Sequence, residues 1–192
     1  MGMRAVRFCL THPDIFRTQL RAICRASAYG KAAVLFPMIT SVWEVEECMR
    51  IFRSVTDELK SENIPYDPFM EIGVMIETPA SVLIADELAE MVDFFSIGTN
   101  DLTQYTLACD RQNGLLERFC DVHHPAVMRS VKIAAEAAQR HGIRAGICGD
   151  LAADQTLLGT FISLGIDELS VPPSDVLPLR AAVRSFTPTT HS

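Results

Sequence analysis

The sequence predicts an α/β protein built on a parallel sheet, and three observations carry that prediction. Short apolar, often β-branched runs alternate with longer helical periods along the chain. The strand runs are apolar without alternation, the pattern of a sheet covered on both faces. No G-x-G-x-x-G follows any strand, which removes the best support for a dinucleotide-binding sheet. A doubly wound open sheet and an eight-stranded barrel both fit these elements. Five βα units in 192 residues, against about 250 for a whole barrel, read as a partial (β/α)8 TIM barrel with its first units missing.

The elements follow in order. Pro13 to Ala28 carries an apolar face through Ile15, Leu20 and Ile23 and is predicted to be a helix. Ala32 to Phe36 is the first strand, after Gly30. Ser41 and Glu44 have capping-box spacing and open a helix to about Ser61. The Pro65–Pro68 turn leads into the strand Met70 to Ile76, and Pro79 opens a helix to about Ala89. Asp93 to Ile97 is a third strand ended by Gly98, followed by a short helix from Asp101 to Ala108 and a polar loop. Pro125 begins a long helix that Gly142 is placed to terminate. Ala145 to Ile147, Asp154 to Leu164, Glu168 to Val171 and Ser174 to Arg184 complete the series as strand, helix, strand and helix. One domain over residues 1–186 and a disordered tail over 187–192 are expected.

Composition narrows the function. Seventeen Lys and Arg stand against 24 Asp and Glu, a net charge of −7, which disfavours a nucleic-acid surface. No apolar stretch approaches a membrane span and Met1 to Leu10 holds no signal-peptide core, so a soluble, cytosolic chain is expected. The six cysteines form no C-x-x-C pair or zinc-spaced cluster. No disulfide is expected, and Cys9, Cys24, Cys48, Cys109 and Cys120 are taken as structural, with Cys24, Cys48 and Cys109 in helical stretches.

In either architecture the carboxyl ends of the strands gather the chemistry. Glu77 follows the second strand, Asn100 and Asp101 the third, and Cys148 the fourth. A carboxylate at the end of an apolar strand is costly to bury unless paired or bound to metal. Glu77 and Asp101 on consecutive strands could share a cation, and two carboxylates completed by a phosphate and waters suit Mg²⁺. Both residues are equally placed to cap neighbouring helices. Asn100 also suits a turn, and Arg111 a solvated loop. Cys148, between a strand end and Gly149 on the chemical face, is poorly explained as core filling.

Three segments carry a resemblance. Glu71 to Ala80 (EIGVMIETPA), Asp93 to Leu107 (DFFSIGTNDLTQYTL) and Gly146 to Ala152 (GICGDLA) resemble the phosphoenolpyruvate-binding barrel of Enzyme I, the phosphoenolpyruvate–protein phosphotransferase family of the bacterial sugar phosphotransferase system. Phe16 to Ala22 and Phe36 to Ile39 fit it too, and the likeness runs from Gly2 to about Arg184. It implies that Glu77 and Asp101 bind Mg²⁺. It implies also that Asn100, Asp101, Arg111 and Arg4 contact phosphoenolpyruvate, and that Cys148 protonates the enolate carbon to give pyruvate. A histidine-containing carrier protein and a homodimeric parent are implied as partners.

The same resemblance implies parts that this sequence does not show. Two further phosphate-binding arginines and the phosphorylated histidine of the family have no counterpart here, since His12, His123, His124, His141 and His191 match no phospho-acceptor motif. The chain is therefore expected to be a carboxy-terminal portion, inactive alone toward the carrier. Pyruvate phosphate dikinase or phosphoenolpyruvate synthase barrels are the alternative within enzymes, against which the Asp150-Leu151-Ala152 form speaks. A non-catalytic module that dimerises or binds ligand is the alternative outside them.

Overall fold

The computed structural model describes residues 1–187. Most of the expected tail, residues 188–192, lies outside the described residues.

Two helices precede the sheet: α1 (Ala5–Thr11), which the sequence reading did not anticipate, and α2 (Pro13–Ser27). Then come β1 (Ala33–Phe36), α3 (Val42–Ser61) and β2 (Glu71–Ile76). Ser41 and Glu44 form the anticipated capping box at the start of α3. The next helix is two short ones, α4 (Pro79–Leu83) and α5 (Ala85–Ala89), broken at Ile84. β3 (Phe94–Gly98), α6 (Thr99–Thr106), α7 (Pro125–His141) and β4 (Arg144–Cys148) follow. Gly142 ends α7 in the left-handed conformation, at φ 68°. A 3-10 turn, Asp150–Ala153, follows β4; the anticipated helix from Asp154 is a second 3-10 turn, Gln155–Leu157, and α8 (Leu158–Ser163), before β5 (Glu168–Ser170) and α9 (Pro173–Ser185).

The five strands are all parallel and lie in the order β1-β2-β3-β4-β5. This decides between the two architectures. A doubly wound sheet reverses its strand order at a switch point, whereas a barrel advances one strand at a time. The chain is a (β/α) sheet wound in the barrel sense. Right-handed crossovers then place every connecting helix on one face.

Side-chain burial follows that geometry and corrects the expectation of strands covered on both faces. Val34, Phe36, Ile72, Val74, Ile76, Phe95, Ile97, Ala145 and Ile147 point to the helices and are buried. The register sets Gly73, Met75, Ser96, Gly146 and Cys148 on the opposite face. That is the face the crossover helices leave uncovered, and it carries these small and polar residues beside Leu35 and Phe94. Opposite it, Ala134, Ala137 and Ala138 of α7 are fully buried, since short side chains let the helix backbone approach the sheet. Arg17 and Arg21 of α2 pair with Glu58 and Glu62, tying α2 to α3.

Candidate functional site

The strand ends converge on four side chains. Glu77 sits just past β2, buried, and its Oε1 accepts the backbone N–H of Met38, beyond β1, at 2.7 Å. Its position was open between a helix cap and a ligand. Capping is done by its neighbour: the Thr78 hydroxyl accepts the Ser81 N–H at 3.0 Å and donates to Ile39 C=O at 2.8 Å. Glu77 is thus free of the helix it precedes. Asp101 lies in the first turn of α6, buried, and caps nothing; its Oδ2 accepts from the Arg4 guanidinium at 3.3 Å. Arg4, at the start of α1, reaches across 97 residues of sequence and stays half exposed.

The electrostatics are those of a carboxylate pair short of positive charge. Burial pushes the Glu77 carboxyl from near 4.5 up to about 7. The Met38 N–H opposes this, the Asp101 charge adds to it, and Arg4 offsets part. Removing negative charge or adding a cation relieves the pair. The residues fit an oxygen-seeking divalent ion: two carboxylates at neighbouring strand ends, one of them held by a backbone N–H. Among the described residues no group of three or more His, Cys, Asp and Glu gathers as a metal cage. A site of this kind suits Mg²⁺, which takes one or two carboxylates and completes its shell with substrate phosphate and water.

Cys148 ends β4 on the face that the helices leave uncovered, half buried. The Ser96 hydroxyl, two register positions back on β3, donates to Sγ at 3.6 Å. Burial pushes the thiol above its ordinary 9.0; the Ser96 bond opposes that, and the charges of Glu77, Glu168 and Asp101 reinforce it. The thiol is therefore neutral at pH 7, the state that donates a proton.

Asn100 is held by Asp150. Its Oδ1 accepts the Asp150 N–H at 2.9 Å and its Nδ2 donates to the Asp150 carboxylate at 3.3 Å. Gly149 makes this approach possible, with φ 94° and ψ −173° and no room for a side chain: a methyl there would come within 2.6 Å of Thr99 Oγ1 and 2.7 Å of Asn100 Oδ1. Arg111 lies in the exposed loop after α6, where its N–H donates to Gln104 Oε1 at 3.1 Å. It borders two concavities, one of about 360 Å³ with Asn100 and Asp150, one of about 860 Å³ with Arg4 and Asp101.

The structure thus brings Glu77, Asp101 and Arg4 together, sets Cys148 on their face, and leaves Arg111 at the rim. Sequence reasoning missed Ser96, Met38, Asp150 and Gln104. A serine inside an apolar strand was a signal for Ser96; nothing in the sequence marked the Met38 backbone. Backbone strain does mark the place. Among the described residues four non-glycines have positive φ, and three of them lie here: Ala5 adjoins Arg4, Met38 holds Glu77 and Ala108 begins the Arg111 loop.

The cysteines need one correction. Cys109 is not helical, because α6 stops at Thr106, and it forms a disulfide with Cys120. The intervening chain turns back through a 3-10 helix, Gly114–Phe119, and brings the two Cα atoms to 6.0 Å. Cys24 and Cys48 are buried as expected, the Cys48 thiol pushed up to about 12 by burial.

Comparison with known proteins assigns the family. The family model described as PEP-utilising enzyme, PEP-binding domain, matches residues 1–187. The chain belongs to that family. The PEP-binding-domain chain is 41% identical to the phosphoenolpyruvate-protein phosphotransferase of Listeria monocytogenes over 184 residues, 96% of its own length and 32% of the relative's. The Bacillus subtilis phosphotransferase of the same name is 41% identical over 183 residues, 95% of this chain and 32% of that one. The chain thus spans about a third of the length of these relatives. Among solved structures, a citrate lyase from Burkholderia xenovorans superposes with a TM-score of 0.64 at 18% identity, covering 86% of this chain and 53% of the other. A Haloferax volcanii malate synthase gives 0.61 at 16%, covering 92% and 52%. These two show the shared fold of this family member and nothing of its chemistry.

Proposed function

We propose that this chain is the phosphoenolpyruvate-binding portion of a Mg²⁺-dependent phosphoenolpyruvate–protein phosphotransferase. The single observation that carries the reading is the Glu77–Asp101–Arg4 cluster at the strand ends, with a neutral thiol on the same face. Glu77 and Asp101 would hold Mg²⁺, which when bound neutralises charge on the phosphate and on the enolate oxygen. Arg4, Arg111 and Asn100 orient the phosphate by charge-assisted hydrogen bonds. Asp150 keeps the Asn100 amide in one orientation. Phosphoryl transfer is mainly positioning and charge neutralisation, which is what this set of residues supplies.

The chain's own chemical step is a proton transfer. As the enol oxygen–phosphorus bond breaks, its electron pair stays on oxygen and leaves an enolate. The Cys148 S–H bond then gives its proton to the enolate methylene carbon, forming pyruvate, and the thiolate regains a proton from water. Ser96 holds Sγ by its hydroxyl hydrogen bond. The phosphoryl group passes to a histidine outside this chain and on to a histidine-containing carrier protein. The parent is a homodimer in the cytoplasm; among the described residues no helix is long and apolar enough to cross a membrane. Residues 1–186 act as one domain.

By microscopic reversibility the acid that protonates the enolate also removes a methyl proton from pyruvate. Proton NMR of pyruvate in D₂O with Mg²⁺ and this chain should show methyl deuteration, slowed about 10²- to 10⁴-fold in Cys148→Ala. Equal rates in wild type and variant would remove Cys148 from the reaction.

A further inference from the structure

The Arg111 loop is held by one covalent bond and little else. Residues 110–119 leave α6 and return to Cys120, and the 3-10 helix inside them, Gly114–Phe119, buries no residue. Leu115 is 89% and Phe119 66% exposed, so apolar burial does not fasten the loop. Its polar contacts are exposed and mostly internal: Gln112 N–H to Asp110, Leu115 N–H to Asn113, and Arg111 N–H to Gln104 on α6. A segment with few buried contacts opens locally at small free-energy cost unless tied. The tie here is Cys109–Cys120.

The position of that tie matters. Cys120 lines the concavity that holds Asn100 and Asp150, and Cys109 lines the one that holds Arg4 and Asp101. Arg111 borders both. The disulfide therefore stands between the two halves of the candidate site, on the loop that supplies its rim cation. Cys109 is buried and its N–H is bound to Gln104 C=O at 3.0 Å, whereas Cys120 is only half buried. Cys120 is the accessible member and Cys109 the fixed one.

We propose that Cys109 and Cys120 form a reversible redox site, in which the disulfide orders the Arg111 loop for anion binding and its reduction releases the loop. The oxidant is a low-molecular-weight disulfide such as oxidised glutathione. The Cys120 thiolate attacks one glutathione sulfur, forming a mixed disulfide and expelling one glutathione thiolate. The Cys109 thiolate then attacks Cys120 Sγ, closing the protein disulfide and expelling the second glutathione. Two protein thiols are oxidised and one glutathione disulfide is reduced to two thiols. A thiol reductant runs the exchange backward. The loop-ordering part stands on the disulfide alone; the anion-binding part rests on the proposed phosphoenolpyruvate site.

The test compares the chain treated with oxidised glutathione and with excess reduced glutathione. Trypsin cuts after Arg111 and Arg118, so the disulfide joins peptide 61–111 to peptide 119–129 without reductant. That linked pair should appear on oxidation and vanish on reduction. Amide exchange across 110–119 should slow on the order of tenfold or more in the oxidised form. Affinity for phosphoenolpyruvate with Mg²⁺ should rise about 2- to 10-fold, the gain from a preordered Arg111. Cys120→Ser, and independently Cys109→Ser, should show the fast exchange and weaker affinity of the reduced form under both conditions. A linked pair that never forms, or that forms with loop exchange unchanged, overturns the proposal. Equal affinity in two forms that both bind overturns its anion-binding part. If the linked pair forms and exchange slows, but neither form binds phosphoenolpyruvate, the redox site stands and the proposed function fails.

Discussion

Gly149→Ala should damage both the fold and the site, and Gly142→Ala should damage only the fold, slightly. Both glycines have positive φ, 94° and 68°. Gly142 sits in the ordinary left-handed region with nothing within 4 Å of an added methyl. Alanine there costs about 1–2 kcal/mol of backbone strain. Gly149, at ψ −173°, lies in a region essentially reserved for glycine, where a side chain costs about 1–3 kcal/mol. Its methyl would also overlap Thr99 Oγ1 at 2.6 Å and Asn100 Oδ1 at 2.7 Å. Relieving that overlap breaks the Thr99 hydroxyl bond to Cys148 C=O and the Asp150 N–H bond to Asn100, each worth about 1 kcal/mol. Gly149→Ala should therefore cost roughly 3–5 kcal/mol. At 2–4 °C per kcal/mol for a chain of this size, its melting temperature should fall roughly 5–10 °C further than that of Gly142→Ala. Thermal unfolding followed by far-ultraviolet circular dichroism measures the difference. Phosphoenolpyruvate affinity, measured below both transitions, should fall in Gly149→Ala and hold in Gly142→Ala. Equal melting losses with equal affinities would refute the role given to the Gly149 turn.

Further outcomes follow from the charges. Glu77 in the folded, cation-free chain has its pKa raised from near 4.5 to about 7. The folded state then binds more protons than the unfolded one, so this group's stability is full below about 4.5 and is lost as pH rises to about 7. Urea unfolding in chelator at pH 5 and pH 8 should show a drop on the order of 2–3 kcal/mol that Glu77→Gln abolishes; the same drop in the variant would assign it elsewhere. Arg4→Ala should weaken phosphoenolpyruvate binding about 10- to 100-fold by removing a charge-assisted contact, which titration calorimetry reads directly. Ser96→Ala should leave that binding intact and slow deuterium exchange into pyruvate, whereas loss of both in parallel would make Ser96 merely structural.

The fold was legible where sequence periodicity was strong and local. Pro13, Ser41, Pro125 and Gly142 marked helix ends that the structure places within a residue or two. The strand cores were equally visible, and the unit count with no G-x-G-x-x-G favoured the barrel winding over the open sheet. Strand order is a property of crossovers, and the monotonic β1 to β5 order bears that reading out. Reading the strands as covered on both faces failed because Gly73, Ser96 and Gly146 are small enough to pass as neutral within an apolar run. Helix α1 was invisible because Ala5 to Thr11 is too short to show a period. At the site, Glu77, Asp101 and Cys148 were legible as costly residues at strand ends. Of their partners, Arg4 was named only through the resemblance, and the Met38 backbone N–H not at all, because a backbone group carries no residue-type signal. The Cys109–Cys120 bond depends on a loop reversal that spacing alone does not announce.

The central claim is that Glu77 and Asp101 jointly hold the cation through which phosphoenolpyruvate is bound. Titration calorimetry of phosphoenolpyruvate into the chain, with Mg²⁺ and then with chelator, tests it most directly when repeated on Glu77→Gln and Asp101→Asn. Binding should require the cation in the wild type and weaken at least about tenfold in each variant, the loss of one carboxylate contact. Binding that is independent of the cation and unchanged in both variants would contradict the account.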